Sequence, residues 1–290
     1  MAAPVGRLAV TREFSTRYRV PGILKGKKGE TGPVNASLAS LDQRTKRLSQ
    51  YQPLPVETYR SLAEALRTRL TYASNAIEGN HLTLAETQVV LSGVTVGGKP
   101  LRDHLEAIDH AEAWDAMLQW TQSNEPITSF LLRSLHGLVL RRSQPEHAGQ
   151  YRQVSVAIAG SPLVPPEPII VPGAVDEVLT IAQQMDAHPV VAGAIMHARL
   201  MGIHPFVDGN GRTGRLVLNL WLMRHRYVPA ILDPGDRPAY YAALQAADDD
   251  VFDPIVDVVA HGISRTLSVY EEVLRLGPEP PAPKPSGLHL

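Results

Sequence analysis

The densest group of polar residues lies between two apolar stretches: Ile203-His204-Pro205-Phe206-Val207-Asp208-Gly209-Asn210-Gly211-Arg212-Thr213-Gly214-Arg215. His204 is the one side chain in this segment that accepts a proton near neutral pH. Asp208 offers the kind of oxygen that Mg²⁺ takes when phosphates supply most of its other ligands. Gly209 and Gly211 permit positive φ and let a ligand approach the backbone. A helix beginning near Gly211 would turn its free N–H groups and its dipole toward the loop, which makes an anion site. Arg212 and Arg215 are three apart, so both project from one face of the first turn. Two guanidiniums beside a helix N-terminus imply a polyphosphate rather than a single carboxylate.

The same residues contain a decoy. Gly209, Gly211 and Gly214 satisfy G-x-G-x-x-G, and Asp233 follows at about the distance of a dinucleotide fingerprint. That fingerprint needs a preceding strand, whereas Val190 to Met201 reads as a helix and Pro205 interrupts the approach. A phosphate-binding loop of the G-x-x-x-x-G-K-[ST] type also fails, because no Gly-Lys-Ser/Thr follows.

The elements that must position this loop are mostly helical. Leu38, Leu41 and Leu48 recur at helix spacing. From Pro55, Leu62, Leu66, Leu70, Ala73 and Ile77 (with Tyr59 at the head) describe one buried stripe, ended by Gly79. Thr83 and Glu86 fit a capping box that opens a helix fading at Gly93. Further helices are expected over 101–121, 128–142, 175–185, 190–201, 211–225, 238–247 and 253–276. Pro205 ends the helix before the loop, since a residue preceding proline is driven out of the right-handed helical region. Residues 151–171 differ: Val154, Val156 and Ile158 alternate, then Gly160, Ser161 and four prolines follow, which reads as a hairpin with an irregular second arm. The class is mostly α with one hairpin.

Composition narrows the function classes. With no cysteine among 290 residues, disulfide frameworks, Cys-ligated metals and a cysteine nucleophile are excluded. Lys+Arg 28 against Asp+Glu 29 leaves −1, no electrostatic reason to expect nucleic acid or an anionic membrane as partner. No apolar stretch approaches the ~20 residues of a membrane span, and the start lacks a secretory h-region, so a cytoplasmic address is the expectation. The 24 prolines, about 8% against a usual ~5%, cluster in the hairpin and in the tail.

The loop resembles the Fic family signature HPFx[DE]GNGRxxR at every specified position. Gly149-Gln150-Tyr151-Arg152 with the following hairpin is similar to the family's flap, and the stretch from Thr95 to His104 is similar to one found upstream in many relatives. The resemblance implies a Fic-fold helical bundle with a β-hairpin flap over the active site. Its parts would be a loosely structured segment over 1–35, an N-terminal helical region over 36–124, a catalytic core over 125–275 and a Pro-rich tail over 276–290. The implied reaction transfers AMP from ATP to a Tyr, Thr or Ser hydroxyl of a protein, releasing pyrophosphate. His204 would take the hydroxyl proton and Asp208 would hold Mg²⁺. Gly209, Asn210 and Gly211 would line the phosphates, and Arg212 and Arg215 would neutralise the leaving pyrophosphate. The intact Gly-Asn-Gly favours AMP over the phosphocholine or phosphate that other relatives transfer. Tyr241 and Leu244 resemble the adenine-pocket segment, although many relatives carry Asn where Asp248 stands.

Ser74, Glu78 and Gly79 are similar to the family's inhibitory motif [ST]xxxE[GN], on a helix over about 56–79. The resemblance implies that Glu78 pairs with Arg215 and displaces the γ-phosphate; the same carboxylate could instead orient a water for AMP removal, and both readings stay open. Val156 and Ile158 would dock an extended target segment, the target being any protein with an exposed hydroxyl, this chain included; whether a homodimer sets the position of Glu78 is also open. Simpler roles are expected elsewhere: Phe206 as a core anchor, His197 as a buried hydrogen-bonded histidine, Arg152 as structural, and Asp248 to Asp250 as a solvated turn.

Overall fold

The computed structural model describes residues 33–276. The expectations for residues 1–32 and for the tail from 277 lie outside them, while residues 33–35 already belong to the first helix. Ten α-helices follow in order: α1 Pro33–Ser49, α2 Val56–Ile77, α3 Leu84–Leu91, α4 Leu101–Trp120, α5 Ser129–Val139, α6 Val171–Gln184, α7 Pro189–Ile203, α8 Asn210–Arg224, α9 Arg237–Asp248 and α10 Asp253–Val273. Among the described residues no helix is long and apolar enough to cross a membrane.

The centre is the pair α7 and α8, which pack on each other and are buried on nearly all sides. Their buried polar residues, His197 and Arg199 on α7 and Arg212, Arg215 and Asn219 on α8, must therefore be paired inside the bundle. Gly193 on α7 lets the pair close up: a Cβ there would lie 2.6 Å from Trp221 Cδ1, and Trp221 Nε1 donates to the Pro189 carbonyl at 2.8 Å. Around this pair, α6, α9 and α10 cover α7, while α4 and α5 cover α8. α1 lies on α10, joined by Arg44, which spans Glu271 and Ser264.

α2 matters most for the site. Its buried stripe is Leu62, Leu66, Leu70, Ala73 and Ile77, at the expected spacing; Tyr59 lies outside it, exposed. The helix stops at Glu78, followed by Gly79 at φ +96°, and Arg237 Nε from α9 donates to the freed Ile77 carbonyl at 2.8 Å. α3 opens with the expected capping box: Glu86 N–H donates to Thr83 Oγ1 at 3.2 Å and Thr83 N–H to Glu86 Oε2 at 2.7 Å.

Residues 151–167 take the path of the expected hairpin without its strand ladder. The two arms meet where Ser155 Oγ donates to Glu167 Oε2 at 3.3 Å, and they turn at Gly160. Pro162, Pro165 and Pro166 have no N–H to donate, so the second arm cannot sustain a ladder. Arg152 holds the base instead. Its buried guanidinium donates to the carbonyls of His204 (2.8 Å), Val154 (3.0 Å) and Pro166, and its N–H to that of Pro205 at 3.0 Å. The structural role expected for Arg152 is a clamp between flap and loop.

Candidate active site

The loop between α7 and α8 is fixed by its own sequence. His204 closes α7 with φ 49° and ψ 62°, the left-handed conformation, so the residue before Pro205 leaves helical space as expected. Gly209 takes φ +75° at the start of α8. A Cβ there would come within 3.3 Å of both His136 and Leu140. Gly211 lies inside the helix, so positive φ is not its reason; a Cβ on it would fall 2.0 Å from Glu78 Oε1 and 2.9 Å from Arg215 Nη1.

Asn210 is spent on the loop itself. Its Oδ1 accepts from Phe206 N–H and its Nδ2 donates to the Phe206 carbonyl, both at 2.9 Å. Only its main chain is left to face a phosphate. Phe206 is 1% exposed, the anchor expected, and stacks on His136 with ring centroids 3.6 Å apart.

His136 was not legible in the sequence. It stands on α5, far along the chain from the loop, and no spacing marks it. Its Nδ1 accepts from Gly149 N–H at 2.9 Å, which leaves the proton on Nε2 to be donated to the Asp208 carbonyl at 3.0 Å. Burial pushes its pKa down to about 4, so the ring is neutral.

The charged groups gather at the start of α8. Arg215 is 5% exposed and reads the last turn of α2: Nε donates to Ser74 Oγ at 3.0 Å, and Nη2 donates to the Ser74 carbonyl (2.7 Å) and to Glu78 Oε1 (2.8 Å). Glu78 thus lays a carboxylate against Gly211, in the position that the helix N-terminus offers an anion. Arg212 does not share these partners. It turns to Glu106 on α4 (3.4 Å) and to Asp208 (3.3 Å). Buried Nε and Nη1 of Arg212 and Nη1 of Arg215 have no hydrogen-bond partner. Buried guanidinium N–H groups are costly to leave unpaired, and of these three Arg212 Nη1 has a charged neighbour, the Glu106 carboxylate at 3.4 Å.

Asp208 Oδ1 accepts from Gly209 N–H at 2.6 Å, and Oδ2 accepts from Arg102 Nη2 at 2.8 Å and from Gln144 Nε2. Burial alone would raise its pKa, but Arg212, Gln144, the Gly209 amide and Arg102 outweigh it and hold the carboxyl below its ordinary value. It is therefore a charged carboxylate, 35% exposed, and fits Mg²⁺ with phosphate oxygens as the other ligands. Among the described residues no three His, Cys, Asp or Glu side chains converge on a further metal position. For His204, burial lowers the pKa, offset in part by the Met201 carbonyl, Glu78 and Asp208.

Tyr241 and Leu244 sit half-buried on α9, with the Arg237 guanidinium 5.0 Å from the Tyr241 ring centroid. Val156 and Ile158 are half-buried on the first arm of the flap. His197 is the buried histidine expected, 2.8 Å from Tyr240 Oη. The aspartate run departs from a solvated turn: Asp250 pairs with Arg199, itself 5% exposed, and Asp248 faces Gly202. Asp233 caps the one-turn 3₁₀ helix Pro234–Asp236 through Gly235 N–H at 2.8 Å, and α7 precedes the loop, so no dinucleotide fold surrounds the glycines.

A helical bundle presenting this loop at the join of its two central helices is the architecture of a Fic domain. Residues 126–222 match the model of the Fic/DOC family, and the chain carries a Fic domain. It is 34% identical over 237 residues to a protein adenylyltransferase Fic of Drosophila grimshawi, covering 80% of this chain and 48% of that one. The chain spans about half the length of the curated relatives it matches. Among solved structures, a Fic domain containing signaling protein from Bacteroides thetaiotaomicron superposes with TM-score 0.74 at 25% identity, over 84% of this chain and 100% of that one. Fic-1 from C. elegans superposes with TM-score 0.72 at 29% identity, over 83% and 73%.

Proposed function

We propose that this chain is a protein adenylyltransferase, transferring AMP from ATP to a Tyr, Thr or Ser hydroxyl of a protein. The observation that carries the reading is the gathering of the buried guanidiniums of Arg212 and Arg215, with N–H groups left without a hydrogen bond, in the first turns of α8 beside His204 and Asp208 of the loop. The names of the curated relatives support the same activity.

His204, neutral because it is buried, takes the hydroxyl proton as the oxygen bonds to the α-phosphorus and the bond to the β-phosphate oxygen breaks. The amides at Asn210 and Gly211 orient the phosphates, while the Gly209 N–H stays on Asp208 Oδ1 and Gly209 contributes its lack of a side chain; Arg212 and Arg215 draw off the charge that develops on pyrophosphate. Mg²⁺ on Asp208 would neutralise phosphate charge and fix the phosphate oxygens. Tyr241 and Leu244 would hold the adenine, and the flap with Val156 and Ile158, lacking a complete ladder, would pair with an extended target segment. The catalytic part would run over 125–275, with 36–124 bringing the helix that ends at Glu78. The working address is cytoplasmic, with a protein target, this chain included, and a homodimer as an open assembly.

Glu78 is the restraint on this activity in the same reading. Its carboxylate lies where an anion would bind and holds Arg215 away from the γ-phosphate. The second reading, removal of AMP by water, is favoured by one observation: the Glu78 side chain is 33% exposed, with Arg215 on Oε1. Labelled ATP and a modified target, each incubated with wild type and His204→Ala, separate the two. Transfer predicts label on protein that disappears in His204→Ala; label appearing equally in both proteins would refute the base, and loss of label from the modified target alone would favour removal.

A further inference from the structure

Three guanidiniums and three carboxylates meet around the start of α8, and their charges cancel. Arg215 answers Glu78, while Arg212 and Arg102 are shared between Glu106 and Asp208. The two oxygens of Asp208 are held in different ways. Oδ1 is bound by the Gly209 amide and by Arg212, a side chain 2% exposed, neither of which can leave without the loop. Oδ2 is bound by Gln144 and Arg102, and the Arg102 side chain is 56% exposed.

Arg102 has a second anchor. Its Nε donates to Glu106 Oε1 at 2.8 Å, and both residues lie on α4. The outer guanidinium nitrogen can release Asp208 while Nε stays in place. A divalent cation and a guanidinium cannot both sit at contact distance on one carboxylate oxygen without strong like-charge repulsion. Releasing Arg102 also unmasks a positive charge beside the phosphates at the moment the cation arrives.

We propose that Arg102 and a divalent cation compete for Oδ2 of Asp208, and that the displaced guanidinium, kept on Glu106, turns to a phosphate oxygen of the nucleotide. Arg102 is then a nucleotide-binding residue that is available only to the cation-loaded nucleotide, which makes the site selective for the metal complex over the bare triphosphate. This rests on the nucleotide reading above and adds a third arginine to it.

Arg102→Gln separates the two halves of the exchange, and its half-exposed position makes the change tolerable to the fold. Mn²⁺ alone is titrated against the full chain by electron paramagnetic resonance, and α,β-methylene-ATP with Mg²⁺ by calorimetry. The glutamine variant should bind Mn²⁺ about two- to fivefold more tightly, since an exposed ion-pair competitor has gone, and bind the Mg²⁺–nucleotide about fivefold or more weakly, since a charge-assisted bond has gone. Arg102→Lys should restore part of both values. A purely structural arginine would weaken both affinities together. Mn²⁺ affinity that is unchanged or lower in Arg102→Gln overturns the exchange, and so does unchanged nucleotide affinity. If the wild type itself binds no Mg²⁺–nucleotide, the nucleotide reading falls; if it binds and the variants do not differ, only the exchange falls.

Discussion

Replacing Glu78 by glycine tests the site as an energetic object. In the wild type one charge-assisted bond of 2.8 Å joins Glu78 Oε1 to an Arg215 that is 5% exposed. Such a bond contributes about 1.5–3 kcal/mol, and the one-third exposure of Glu78 argues against the larger penalties of fully buried pairs. Removing it leaves Arg215 with the two Ser74 contacts and the neighbouring Tyr240 hydroxyl, and no carboxylate. The variant without nucleotide should therefore lose about 3–12 °C in Tm, taking 2–4 °C per kcal/mol for a chain of this size. Nucleotide phosphates would refill the vacated position, so ATP with Mg²⁺ should raise Tm more in the variant than in the wild type. The same 1.5–3 kcal/mol corresponds to about a tenfold to hundredfold gain in productive nucleotide binding, read as AMP incorporation into protein. Glu78→Gln, which keeps the shape and removes the charge, should fall between. An equal or smaller ATP-dependent rise in Glu78→Gly, with AMP incorporation unchanged, would refute the argument that this carboxylate occupies the phosphate position.

Other outcomes follow from single contacts. Because burial lowers the pKa of His204 from 6.5, the acid limb of kcat/KM for AMP transfer should lie below pH 6.5; a limb above that value contradicts a buried neutral base. The buried histidines His110, His136 and His197 have pKa values lowered by burial to about 3, 4 and 4 from 6.5. The unfolded chain binds protons below pH 6.5 that the folded chain refuses, so stability is complete above 6.5 and falls as pH drops toward 4. The slope is up to about 1.4 kcal/mol per pH unit for each group, and a Tm that stays flat from pH 6.5 to 5 would contradict it. Asn210→Ala should cost about 1–3 kcal/mol by orphaning the Phe206 amide and carbonyl, measured by urea denaturation, and should lower AMP transfer through a loosened loop.

What was legible in the sequence divides along physical lines. Helix period, capping and termination are local signals, so α2 with its stripe, the Thr83–Glu86 box and the stop at Gly79 could be read directly. The loop was legible because proton acceptor, oxygen ligand and guanidiniums fall within thirteen residues. The Glu78–Arg215 contact was expected only through the family resemblance. Contacts made by folding alone left no trace: His136 reaches Asp208 across 72 positions and Arg102 across 106. Gly211 illustrates a reason misread, for its small size makes room for Glu78 rather than for a turn. The flap was legible as a path and a turn at Gly160, and less so in its pairing. Alternating Val154, Val156 and Ile158 predict a strand, but a strand needs a partner with amide donors, and the proline-rich second arm has too few.

The charge pattern also explains how a chain with net charge −1 could concentrate affinity for a polyanion without becoming generally basic. The arginines at the loop are covered by three carboxylates from different places in the chain: Glu78 at the end of α2 on Arg215, and Glu106 on α4 with Asp208 from the loop shared between Arg212 and Arg102. At this loop the three guanidiniums therefore do not stand open to compete for other anions. Positive potential is released only when a covering carboxylate is moved or neutralised, and two of the three covers respond to different agents. Glu78 follows the end of α2, whose position depends on Arg237 and Gly79. Asp208 would follow the cation. On the proposed reading, selectivity for a metal-loaded nucleotide and restraint of the reaction would have one physical origin, the pairing of buried guanidiniums with carboxylates that can be displaced separately.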